Sequence, residues 1–142
     1  FDCEQFRDLV SRTLEEYYLN SPAAVNLLLG TVAVESDFGT YLRQIKGPAR
    51  GVFQMELPTF LWLQRKYRSI YEIAEREFYE LEWDLRLAIL FARLRYRVVP
   101  SPLPGAADLE GLAGYWKKNY NTRFGAGTVE GFIQNYHKYV KP

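Results

Sequence analysis

The chain has 142 residues, 48% of them apolar and 25% charged, with a formal net charge of +1. That balance fits one domain, residues 1–142, with a core of its own, and excludes a disordered tail. The near-zero charge argues against nucleic acid as the partner. A single cysteine, Cys3, and a single histidine, His137, exclude an internal disulfide, a cysteine-based metal cluster, a histidine-pair zinc site and any Ser-His or Cys-His couple. No residue cluster suggests a metal or an organic cofactor. The longest apolar runs, such as 23–30, are too short to cross a bilayer, so no membrane span is expected. The sequence opens at Phe1 rather than Met, which is expected of a chain trimmed or cut from a longer one.

Apolar residues recur mainly at intervals of three and four, the helical period. Phe6, Val10 and Leu14 mark a first helix that ends near Asn20-Ser21-Pro22. Ser21 then caps a second helix, with Pro22 at its first position, running through Val25, Leu28, Leu29 and Val32 towards Glu35 until Gly39 stops it. Residues 39–56 carry Gly39, Gly47, Gly51 and Pro48 and read as a loop with room for a short hairpin. Pro58 starts a third helix through Phe60, Leu63 and Tyr67. A fourth is expected from about Ser69 to Phe78 and a long fifth from about Trp83 to Arg97. Three prolines make 98–105 a loop. Asp108 caps a sixth helix with Leu112, Tyr115 and Trp116, and Thr128 a last one with Phe132, Tyr136 and Tyr139 or Val140. The expectation is a single, mainly α-helical domain.

Charge is uneven along the chain. Glu72, Glu75, Glu77, Glu80, Glu82 and Asp84 crowd one stretch, and Arg93, Arg95 and Arg97 close the next. The arginines suit a helix C-terminus and a solvated face. A nucleic-acid patch is the weaker reading.

The stretch richest in chemistry is 33–39, Ala-Val-Glu-Ser-Asp-Phe-Gly, at the end of an otherwise apolar helix. A carboxyl held against apolar walls has its charged form disfavoured, so Glu35 can stay protonated near neutral pH. That is what protonating a glycosidic oxygen requires. Next comes Gly51-Val-Phe-Gln54, and later Leu112-Ala-Gly-Tyr-Trp116 followed by Asn119-Tyr-Asn121.

In this order the motifs resemble those of the lysozyme-like lytic transglycosylases and goose-type lysozymes. In that family a Glu-Ser pair ends a buried helix, a Gly-x-x-Gln segment crosses the cleft, and a later helix brings an aromatic beside the acid. The matches are Glu35-Ser36, Gly51 to Gln54, and Ala113 or Gly114 with Tyr115. The run after Tyr115, with Trp-Lys-Lys-Asn-Tyr-Asn-Thr, looks like phage-encoded members. One position departs: Trp116 stands where the family commonly has Asn, and Asn119 or Asn121 is left to substitute for it.

The resemblance implies a lysozyme-like helical domain that cleaves peptidoglycan between N-acetylmuramic acid and N-acetylglucosamine at the cell wall, in the periplasm or outside, as an enzyme or a virion component. Glu35 would give a proton to the leaving oxygen and take one back. Gln54 offers both donor and acceptor groups to an N-acetyl group. Ser36 either bonds near the acid or caps the helix. Gly51 either lets the backbone approach substrate or makes a turn. Tyr115 either bonds the acid or sugar, or packs in the core. Tyr41, Phe53, Trp116 and Tyr120 have flat faces for sugar rings, although aromatics make up 16% of the chain and most must be core.

Ordinary glycosidases need a second carboxylate. Asp37 should face away from Glu35 on a helix, and Glu56 is the better candidate, with helix-start charge as its plainer role. The resemblance implies that no second acid is needed, because the substrate's N-acetyl group assists and its 6-hydroxyl closes an anhydro ring. A hydrolytic muramidase using the same Glu35, and a catalytically silent glycan-binding or structural module of this fold, are the alternatives.

Overall fold

Asp2 accepts a hydrogen bond from the backbone N–H of Gln5 and caps α1 (Cys3–Glu16), whose Phe6, Val10 and Leu14 are buried. In this computed structural model, which describes residues 1–121 and 125–142, the first helix therefore ends four residues before the Asn20 break. Ser21 caps α2 (Pro22–Ser36) through its hydroxyl to Ala24 N–H, with Pro22 in the first turn, as the sequence predicts. α2 is apolar on all sides, so it must sit inside the molecule rather than on its surface. Successive buried Leu27, Leu28 and Leu29 anchor it in every direction, each contributing about 2 kcal/mol relative to exposure.

The helices α3 (Leu57–Lys66), α4 (Tyr71–Ala74), α5 (Leu85–Arg97), α6 (Leu109–Trp116) and α7 (Val129–Tyr139) complete a mainly helical domain. α2 lies along α7 and also touches α1, α5 and α6. Its approach to α7 depends on Gly30, where a Cβ would fall 2.2 Å from the ring tip of Phe132. Asp84, Asp108 and Thr128 cap α5, α6 and α7 with their side chains.

The expected fourth helix is cut short. α4 holds a single turn, and Gln64 Nε2 donates to the carbonyls of Ile73 and Arg76 at and just beyond its end. The chain then makes a 3₁₀ turn, Phe78–Glu82, started by reciprocal bonds between Glu77 and Glu80. The acidic stretch is partly neutralised internally: Arg76 pairs with Glu80 and Asp84, and Arg50 with Glu82. Residues 39–56 form no strand, only isolated antiparallel bridges from Arg50 to Arg43 and to Met55. No helix among the described residues is long and apolar enough to cross a membrane.

Candidate active site

α2 ends in an abrupt reversal. Ser36 Oγ donates to the Val32 carbonyl and accepts from Gly39 N–H, and is itself fully buried. Ser36 is thus a helix cap facing the core, not a group at the cleft. Asp37 and Phe38 both adopt left-handed backbone, φ 49° and 56°, a conformation that costs non-glycine residues about 1–2 kcal/mol each. Packing supplies the compensation: the buried Phe38 ring stacks on Tyr139 at 5.7 Å and meets Phe6 edge-on. Such strain is concentrated at functional sites, and Glu35 sits two residues before it.

Glu35 lines an open cleft of about 450 Å³ together with Gln54, Glu56, Trp116, Tyr120 and Asn121. Residues 44, 48 and 49 of the long loop and 125–127 before α7 complete its walls. Burial pushes the Glu35 carboxyl up from its ordinary 4.5 to about 7, and a hydrogen bond from Trp116 only partly opposes this. That bond runs from Trp116 Nε1 to Glu35 Oε2 over 3.0 Å. It fixes one carboxyl oxygen and leaves Oε1 as the atom through which the acid can exchange a proton with a molecule in the cleft.

The aromatic beside the acid is therefore Trp116, not Tyr115. Tyr115 points out of the cleft and donates to the Ser101 carbonyl at 2.9 Å. The two adjacent helical positions face different directions, so a shift of one residue decides which ring meets the carboxyl. After Trp116 the helix widens into a π turn, Lys117–Asn121, a feature often found at functional sites. The wider turn sets Asn121, five residues on, at the same cleft as Trp116 and Tyr120. Lys117 Nζ donates to Asn121 Oδ1 at 2.8 Å and to the Gly125 carbonyl at 3.1 Å. The Asn121 amide nitrogen has no hydrogen-bond partner among the described residues and is open to a ligand's acceptor.

Tyr120 stacks on Tyr96 with ring centroids 5.2 Å apart and donates to the Phe53 carbonyl at 2.7 Å. Burial, and then the charge of nearby Glu35, hold its hydroxyl well above its ordinary value, so it stays a neutral donor. Below it, Tyr96 shares a 2.8 Å hydroxyl bond with Thr31. This polar layer under the acid gave no motif, because its members come from α2, α5 and the π turn.

The Gly51 to Gln54 segment divides by role. Gly51 has φ +79°, and a Cβ there would lie 2.7 Å from the Leu81 carbonyl oxygen. It is a turn glycine pressed against the protein's own backbone, not an opening for substrate. Phe53 is buried against Phe6 and contributes only its carbonyl to the site. Gln54 does reach the cleft, from a left-handed backbone with φ 51°, and its Nε2 donates to the Gly51 carbonyl. Its carbonyl oxygen remains as an acceptor. Trp116 is itself buried, so it offers the cleft an edge rather than a face. Tyr41 is exposed and does not line the cleft.

Glu56 stands at the start of α3 without a side-chain capping bond, and its side chain lines the cleft containing Glu35. The three arginines of α5 do not form one patch: Arg93 donates to the Leu19 carbonyl, Arg97 is exposed, and Arg95 lines a recess beside Glu56 and Tyr120. Among the described residues there is no group of His, Cys, Asp and Glu that could hold a metal ion. No family model matches this chain, and neither a curated protein nor a solved structure does.

Proposed function

We propose that this chain cleaves the bond between N-acetylmuramic acid and N-acetylglucosamine in peptidoglycan, with Glu35 as acid and then base. The reading is carried by a carboxyl at an open polar cleft, one oxygen pinned by Trp116, that burial pushes up to about 7. Such a group is half-protonated at neutral pH, the condition in which one residue serves both steps. Glu35 gives its proton to the leaving oxygen as the glycosidic bond breaks. It then removes the proton of the attacking hydroxyl. In the transglycosylase form that hydroxyl is the muramic sugar's own 6-OH, and an anhydro ring closes. Gln54 and Asn121 offer an acceptor and a donor for the N-acetyl group that assists.

A hydrolytic second reading has one observation in its favour: Glu56 shares the cleft and makes no capping bond, so a water activated by a second carboxylate is a possible nucleophile. Digestion of purified cell walls followed by mass spectrometry separates the two. Anhydro-muramyl ends are expected; reducing muramyl ends would move the assignment to a muramidase. Binding to walls with no released fragment at any pH would leave only a silent glycan-binding module.

A further inference from the structure

From the cleft, a side recess of about 140 Å³ opens between α3 and α5, sharing Gln54, Glu56, Tyr120 and Asn121 with it and adding Met55, Thr59 and Arg95. Arg95 is half-buried and has no ion-pair or hydrogen-bond partner among the described residues. Its neighbours on the same helix differ: Arg93 is bonded to Leu19, and Arg97 lies in solvent. A guanidinium facing a recess without a protein partner is free to take an anion, and its planar fork matches a carboxylate. Glu56, which lines the same recess, repels a bare anion and accepts N–H groups. The recess therefore suits a group that carries an amide N–H next to a carboxylate.

We infer that this recess binds the acidic peptide stem borne by the muramic sugar, with Arg95 holding a stem carboxylate and Glu56 accepting a stem amide N–H. The inference rests on the peptidoglycan reading and deepens it, naming the part of the substrate that enters beside the sugar chain. Thr59 at the recess wall and the Asn121 amide supply further neutral contacts. On this arrangement the stem fixes which sugar lies over Glu35, since only muramic acid carries one.

The test compares two probes, a muramyl disaccharide carrying a tetrapeptide stem and the same disaccharide without it. Binding is measured by calorimetry on the wild type, Arg95→Gln and Arg95→Lys, and cleavage on intact walls and on walls stripped of stems by an amidase. One charge-assisted pairing predicts that the stem tightens wild-type binding about tenfold. Arg95→Gln should remove that difference while leaving the stem-free affinity in place, and Arg95→Lys should keep part of it. Equal wild-type affinity for both probes, with equal cleavage of intact and stripped walls, overturns the stem site and leaves the glycan reading standing. Binding and cleavage of neither probe overturns both. An Arg95→Gln protein that folds, by circular dichroism, yet keeps the stem preference also overturns the assignment to Arg95, and Arg95→Lys serves where Arg95→Gln does not fold.

Discussion

The indole N–H of Trp116 donates to Oε2 of Glu35 from a ring that is itself buried. The bond favours the charged carboxylate, so it opposes the upward push of burial. Trp116→Phe should therefore raise the Glu35 value further and move the alkaline limb of the activity profile to higher pH. It should also lower kcat about tenfold, because the carboxyl loses its anchor, the loss of one bond to a charged group. A pH series of kcat/KM checks this; an alkaline limb that stays put would separate Trp116 from the acid.

Glu35→Gln keeps an oxygen for the Trp116 bond and removes the proton. Activity on cell walls should fall about 1,000-fold, the usual worth of a general acid. The same substitution should alter stability in a pH-dependent way. The folded-state value of about 7 exceeds the ordinary 4.5, so between those pH values the native state holds a proton that the unfolded chain has lost. Wild-type stability therefore falls as pH rises from 4.5 to 7, by about 3 kcal/mol at roughly 1.4 per unit. Denaturant titrations at pH 5 and pH 8 should show this slope in the wild type and not in Glu35→Gln.

Two tyrosines one turn apart should behave differently. Tyr120→Phe removes a donor to the Phe53 carbonyl at the cleft, and should cost about 1–2 kcal/mol and raise KM by loosening the Gln54 segment. Tyr115→Phe removes the bond to Ser101, away from the acid, and should leave kcat and KM unchanged. If Tyr115→Phe proved the more damaging to kcat, the placement of Trp116 beside the acid would be wrong.

Gly51→Ala meets two penalties, a left-handed φ and a contact of 2.7 Å with the Leu81 carbonyl. About 2–4 kcal/mol of stability should be lost, combining backbone strain and overpacking. Urea unfolding midpoints test it, and an unchanged midpoint would mean that the 51–54 turn rearranges freely.

Much of this arrangement was legible in the residues. Ser21-Pro22 fixed the start of α2, and an apolar helix ending in a lone Glu placed a carboxyl at a buried helix end, because burial and periodicity act over one short stretch. Trp116 was harder to assign. A motif aligned on Tyr115 differs from the structure by one residue, and only the packing of α6 against α2 chooses between two neighbouring rings. Arg95 was legible merely as helix-end charge, since its recess is made by Thr59 and Glu56, more than thirty residues earlier in the chain. The shortening of α4 had no local signal either: the carbonyls at its end are met by Gln64 from α3.

The π turn at Lys117–Asn121 gives the cleft wall a length counted in whole amino acids. Loss of one residue there would let the segment relax to ordinary α geometry, carrying Asn121 off the cleft while Trp116 kept its place. The shape of the cleft is consequently exposed to a three-nucleotide deletion, a change that point substitution at the same positions cannot imitate.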